Sequence, residues 1–204
     1  MIEVEKKFVL SEEEIQGLVK GSRFVGEVEL DDVYYDTPDF ALMKQDRYLR
    51  RRNGQFELKV STALVIDAPT THYRELTNKG EIREELGLGE GDFEWMVERA
   101  GYKPMVSIKT LRKKYKEGDF NIDIDSADFG HEVAEVELMV EKEEDVQGAI
   151  GRIKQFAFSK GLWDKSEGEI RGKVMEYLYR KNRAVYEEIA KSWKRLEAAH
   201  LRNN

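Results

Sequence analysis

A period of two in polarity is the strongest constraint in this sequence, because it places successive side chains on opposite faces of a strand. In Ile2-Glu3-Val4-Glu5-Lys6-Lys7-Phe8 it sets Glu3, Glu5 and Lys7 against Ile2, Val4 and Phe8, with Lys6 the exception on the apolar side. Two carboxylates and an ammonium thus follow one another at roughly 6.6 Å, twice the ~3.3 Å rise per residue. That spacing suits a divalent cation and a polyanion held side by side.

The pattern recurs along the chain. Residues 48–52 and 55–60 flank Asn53-Gly54, whose positive φ angles fit a type I′ hairpin turn. Arg50 and Arg52 share one face of that hairpin, and Glu57 and Lys59 oppose Phe56, Leu58 and Val60. Later, Asp123 and Asp125 oppose Ile122 and Ile124, and Glu135 and Glu137 oppose Val136 and Leu138. Strands are expected at 24–36, 73–77, 105–116, 120–126 and 131–141, with Pro38 closing the first of them. Ser11-Glu12-Glu13-Glu14 predicts a capping box opening a helix to about residue 20, before Gly21. Short helices are expected at 79–86 and 92–100 and a loop at 61–71. Helical periodicity runs from 143 onward, with breaks around 161–168 and near 182 and fraying over 200–204.

Two groups of strands separated and followed by helices indicate an α+β chain. Helices can cover one face of each strand, but the other carries acids and bases together. A flat sheet would leave it in water, whereas an eight-stranded antiparallel β-barrel turns it into a charged tunnel. The barrel with flanking helices is the expected fold, as a single domain over residues 1–204. At 40% hydrophobic and 10% aromatic the chain is too apolar for disorder despite being 37% charged. Its net charge of -7 argues against a nucleic-acid or acidic-membrane surface, so a polyanion must bind locally. The absence of cysteine removes thiolate ligands and a cysteine nucleophile. No apolar leader and no run near ~18 apolar residues is evident, so a cytoplasmic monomer is the default expectation.

The acids in tunnel phase are Glu3, Glu5, Glu57, Glu75, Asp123, Asp125, Glu135 and Glu137; the bases are Lys7, Arg50, Arg52, Lys59 and Arg112, with Lys114 a further candidate. Oxygen ligands without cysteine or paired histidines favour Mg²⁺ or Mn²⁺ over zinc, and arginine forks fit phosphate oxygens. Together they point to a phosphate chain held by cations on one wall and through a metal on the other. A solvated face laced with ion pairs would give the same pattern. The Gly168–Val174 stretch has one residue too few for a phosphate loop and is rejected. His72, His131 and His200 lack ligand spacing and read as surface or loop residues. Trp95, Trp163 and Trp193 read as core packing.

The ordered set Glu3-x-Glu5-x-Lys7, Tyr34-Tyr35-Asp36-Thr37-Pro38, Leu49-Arg50-Arg51-Arg52, Glu57-Leu58-Lys59, Tyr73-Arg74-Glu75-Leu76-Thr77, Asp123-Ile124-Asp125 and Glu135-Val136-Glu137 resembles the CYTH superfamily of triphosphate tunnel enzymes, and within it the thiamine triphosphatase branch. The resemblance runs from residue 2 to about 180. It implies Mg²⁺-dependent hydrolysis of thiamine triphosphate, with Glu3, Glu5, Asp123, Glu135 and Glu137 as metal ligands. Lys7, Arg50, Arg52, Lys59, Arg112 and Lys173 are implied to bind the triphosphate, with Glu135 beside them, and Tyr34 with Lys59 to form an acid–base pair. Where vertebrate members carry a tryptophan that stacks on the organic group, this chain has Tyr48. The alternatives are an inorganic or less selective nucleoside triphosphatase in the same tunnel, and a non-catalytic polyphosphate-binding module. A base role for Lys59 requires a lowered pKa, which its cationic neighbours are expected to provide.

Overall fold

A computed structural model describes residues 1–62, 70–162 and 170–203, with side chains given up to residue 199. Eight antiparallel strands close into a barrel in the order β1 (Ile2–Phe8), β5 (Thr71–Leu76), β4 (Gln55–Ser61), β3 (Arg47–Arg52), β2 (Arg23–Asp36), β6 (Lys103–Glu117), β7 (Phe120–Ala127) and β8 (His131–Val140). The ring is completed where β8 pairs with β1, Glu5 opposite Glu137 and Lys7 opposite Glu135. The expected barrel is therefore present. Asn53 and Gly54 both have positive φ, 47° and 83°, as the type I′ reading of the β3–β4 turn requires.

Among the described residues six α-helices cover the outside and one side of the lumen: α1 (Glu12–Val19), α2 (Lys79–Leu86), α3 (Phe93–Arg99), α4 (Val146–Ser159), α5 (Lys173–Lys181) and α6 (Arg183–Asn203). The capping box forms, Ser11 Oγ accepting from the Glu14 N–H while the Glu14 carboxylate accepts from the Ser11 N–H. Asn182 separates α5 from α6, at the break expected there. Residues 61 and 71 belong to strands, not to the expected loop, and α6 runs past residue 200 to Asn203. Most of that loop, Trp163 and the expected break after 162 lie outside the described residues. Among the described residues no helix is long and apolar enough to cross a membrane.

Three apolar clusters hold these layers. Val4, Phe8, Ile122 and Val136, outward-facing on their strands, pack under α1 and α4 through Leu18, Ile153 and Phe156. Leu49, Phe56 and Leu58 do the same under α2 and α3 through Ile82, Phe93 and Val97. Full burial of one such side chain contributes about 1.5–3 kcal/mol. The third cluster is different, because Tyr34, Val106 and Ile108 lie on the inward phase of β2 and β6. They meet Val174, Met175 and Leu178 of α5 and Ile189 of α6, so these two helices cover the lumen and bring Lys173 into it.

Candidate active site

Register places the acids together. Glu3 and Glu5 point inward from β1, Glu137 and Glu135 stand beside Glu5 and Lys7 on β8, and Asp123 of β7 stands beside Glu135. Across the lumen, β2, β3 and β4 present Tyr34, Arg50, Arg52 and Lys59, while β6 presents Arg112. They line a cavity of about 320 Å³ together with Lys7, Tyr48 and Lys173. Most of the acids and bases singled out from the sequence thus converge on one space, whereas Glu57 and Asp125 stand behind it, bonded to Arg50 and Arg112. Arg51, one position out of phase, is partly exposed and faces Glu94 at 3.8 Å on the outside.

One oxygen from each of Glu3, Glu5 and Glu137 lies within 4.8 Å of the others. Burial, and then the charges of Glu3, Glu135 and Asp123, push the Glu137 carboxyl well above its ordinary range. Asp123 Oδ1 is buried with no hydrogen-bond partner. Glu3 and Glu5 are ion-paired with Lys59 and Lys7, but Glu137 makes no ion pair among the described residues, and three converging carboxylates with an orphaned Asp123 oxygen on the next strand fit a hard divalent cation.

Glu3 and the acids around the cluster are paired. Burial opposes ionisation of Glu3, yet Lys59, whose Nζ donates to it at 2.5 Å, holds its carboxyl down at about 2. Burial likewise opposes Glu135, but Lys7 at 3.3 Å and Arg112 at 2.8 Å keep it well below the usual carboxylate range. Arg112 donates through Nε and Nη2 to both oxygens of Asp125, at 2.6 and 2.7 Å, and through Nη1 to Asp123. Lys173 Nζ reaches Asp125 Oδ2 at 2.6 Å. Arg50 is clamped by Glu57 and Glu75, both at 2.8 Å.

A lowered Lys59 pKa does not hold. Burial does act in that direction, but Glu3 and Glu5 outweigh both it and the nearby Arg50, and hold the ammonium above its ordinary value. Nor do Tyr34 and Lys59 form a hydrogen-bonded pair among the described residues. Tyr34 sits opposite Arg50 in the β2–β3 register, and burial followed by the charge of Asp32 raises its phenol. Both groups are proton donors in this state.

A scan against protein families matches the CYTH domain over residues 1–167. The chain is 33% identical to human thiamine-triphosphatase over 93% of its own length and 89% of that protein's. The macaque thiamine-triphosphatase is 32% identical over the same shares. This chain belongs to the CYTH family. Among solved structures, a Pyrococcus horikoshii OT3 protein superposes with a TM-score of 0.61 at 22% identity, covering 88% of this chain and 99% of that one, which bears on the fold alone. Family membership implies a divalent metal, and among the described residues Glu3, Glu5 and Glu137 form a cluster that could hold one.

Several lumen groups lay beyond the sequence reading. Asp32 is fully buried behind Arg52. It shares the inward phase of Tyr34, which was its only sequence signal. Asp46, in the left-handed conformation at φ 54°, accepts from the hydroxyls of Tyr48 at 2.9 Å and Tyr73 at 3.3 Å. Thr71 Oγ1 donates to Glu5 at 3.1 Å. Asp36, buried, accepts from the N–H groups of Thr37, Leu42 and Met43 at 2.7, 2.9 and 2.9 Å, and so shapes the 3₁₀ turn Met43–Gln45. The Met43 carbonyl then accepts from Trp193 Nε1 at 2.7 Å, tying α6 to the barrel. Trp95, expected in the core, is half-exposed under Arg99, because Phe93 and Val97 form the buried stripe of α3. His131, expected on the surface, is buried at the start of β8.

Proposed function

We propose that this chain hydrolyses thiamine triphosphate to thiamine diphosphate and phosphate, with Mg²⁺ as its metal. The observation that carries the reading is the meeting of two charge sets in one closed lumen. One is a carboxylate cluster at Glu3, Glu5 and Glu137; the other is a set of cations at Lys7, Arg50, Arg52, Lys59, Arg112 and Lys173. Glu3, Glu5, Asp123, Glu135 and Glu137 are assigned to the metal site, which when filled supplies charge neutralisation on the phosphoryl oxygens.

The chain's own residues do the rest. Arg50, Arg52 and Arg112 present fixed guanidinium forks to the phosphate chain, and Lys7 and Lys173 neutralise its remaining charge. Lys59 and Tyr34, both protonated, donate to oxygens where negative charge grows as water attacks the terminal phosphorus. Phosphoryl transfer through a loose transition state needs positioning and charge stabilisation more than a strong base, so a protonated Lys59 is compatible with turnover. Tyr48 and Tyr73, with the Asp46 carboxylate between their hydroxyls, offer aromatic surface and negative charge to a cationic thiazolium ring.

Phosphate release from thiamine triphosphate, tripolyphosphate and ATP, compared side by side with Mg²⁺ and after chelation, tests the reading. A thiamine triphosphate kcat/KM far above the other two is expected. Preference for tripolyphosphate would replace the reading with an inorganic triphosphatase, and binding without release would replace it with a phosphate-binding module.

A further inference from the structure

A second cavity, of about 490 Å³, lies between α5 and α6, and Arg171, Tyr186 and Trp193 line both it and the tunnel. One of its walls is an ordered stack. The guanidinium carbons of Arg171 and Arg183 lie 3.8 and 4.0 Å from the centre of the Tyr179 ring. Two groups that close to one ring centre need opposite faces, so the tyrosine is sandwiched. Arg171 Nε also donates to the Tyr186 hydroxyl at 2.9 Å, and Arg183 Nε donates to Glu187 at 2.8 Å. Rings and carboxylates thus hold both cations of the stack in place along this wall.

Trp193 stands at the junction of the two spaces. Its N–H is fixed on the Met43 carbonyl at 2.7 Å, which sets the plane of the indole without using its faces. The tunnel interior, by contrast, is crowded with charge. Among the charges of Arg50, Lys59 and Arg112 the tunnel offers the rings of Tyr48 and Tyr73, whose hydroxyls are both spent on Asp46. Tyr48 and Trp193 both pack against the same apolar cluster and both line the tunnel, and Trp193 lines the groove as well.

We propose that the α5–α6 groove seats the neutral heteroaromatic end of the substrate, stacked on the face of Trp193. The charge balance selects the neutral end. Arg171, Arg183, Lys191 and Lys194 outnumber Glu187 and Glu197 around the groove, which disfavours a second cation, while Asp46 lies on the tunnel side where a cationic ring fits. For thiamine triphosphate this puts the aminopyrimidine in the groove and the thiazolium by Asp46. The subsite rests on the reading of the tunnel as a triphosphate site, and it assigns substrate selectivity to α6.

The test compares wild type, Trp193→Phe and Trp193→Ala on thiamine triphosphate and on tripolyphosphate. Stacking of a base on an aromatic side chain is worth about 1–3 kcal/mol, so Trp193→Ala should raise the ratio of the two KM values roughly 5- to 140-fold. Trp193→Phe, which keeps a ring but loses the bond to Met43, should recover most of it. In parallel, thiamine, which lacks phosphate, should quench tryptophan fluorescence in wild type and not in Trp193→Phe. An unchanged KM ratio, or a quench that survives Trp193→Phe, overturns the subsite. Wild-type protein inactive on both triphosphates overturns the hydrolase reading instead, and the fluorescence titration then decides the subsite alone.

Discussion

Asp32 and Arg52 face each other across β2 and β3, and the two oxygens of the fully buried carboxylate accept from Arg52 Nε and Nη2 at 2.7 and 2.8 Å. The fork is thereby fixed before any substrate arrives. Removing one partner of such a pair strands the other charge, at a cost of about 3–5 kcal/mol. Asp32→Ala should lower the unfolding free energy obtained from urea denaturation by an amount in that range. A change under about 1 kcal/mol, the scale of an exposed ion pair, would show that Arg52 is not held by it.

Arg50 and Arg51 are adjacent in sequence but lie on opposite sides of the barrel wall. Arg50 is buried in the lumen between Glu57 and Glu75, whereas Arg51 faces Glu94 outside. Arg50→Ala should reduce kcat/KM by the equivalent of about 2–4 kcal/mol, as for loss of one preorganised donor. Arg51→Ala should stay within the small range of surface substitutions. Equal losses at the two positions in steady-state kinetics would contradict the inward and outward assignment.

The carboxylate cluster should make the protein depend on a hard divalent cation. Exhaustive chelation is expected to abolish phosphate release and Mg²⁺ to restore it. Mg²⁺ should also raise the melting temperature, since a ligand bound only by the folded state stabilises it by mass action. Excess Ca²⁺ should inhibit, because its longer bonds and looser geometry misplace the phosphate. Full activity after chelation would remove the metal assignment of Glu3, Glu5 and Glu137.

The parts of this architecture that follow local rules were legible in the sequence. Period-two alternation at Glu3, Glu5 and Lys7 reports which face a side chain takes, and the Asn53-Gly54 turn reports which strands pair, so the barrel and its charged lining were accessible. Alternation does not report which group lies across the lumen. Lys59 was expected among cations, yet its nearest neighbours are Glu3 and Glu5, from a strand more than fifty residues away in sequence. Asp32 carried no signal beyond its phase. Trp193 and Tyr186 reach the tunnel only because α5 and α6 fold back over it, which no pattern within α6 specifies. Trp95 failed for a simpler reason: in a two-turn helix, burial of Phe93 and Val97 at i and i+4 leaves the position between them facing water.

The remaining prediction concerns pH and stability. His131 begins β8, buried, with its ring stacked on Phe129 at 5.8 Å and its Nε2 without a hydrogen-bond partner. Burial lowers its pKa from the ordinary 6.5; Glu176 opposes this, and Arg180 and Lys173 add to it. The folded protein therefore holds His131 neutral where the unfolded chain binds a proton. Because the unfolded state binds more protons below pH 6.5, stability must fall as pH drops through that value, and the histidine has no effect well above it. The slope from one such group is at most about 1.4 kcal/mol per pH unit. His131→Phe removes the titration while keeping an aromatic ring against Phe129, so the difference between wild type and variant isolates the histidine from carboxylates that titrate nearby. Urea unfolding at pH 7.5 and 5.5 should show the variant losing less stability than wild type over that interval. Equal losses would mean that His131 takes up its proton in the folded state as readily as in the unfolded chain, and that its buried Nε2 has found a partner on protonation.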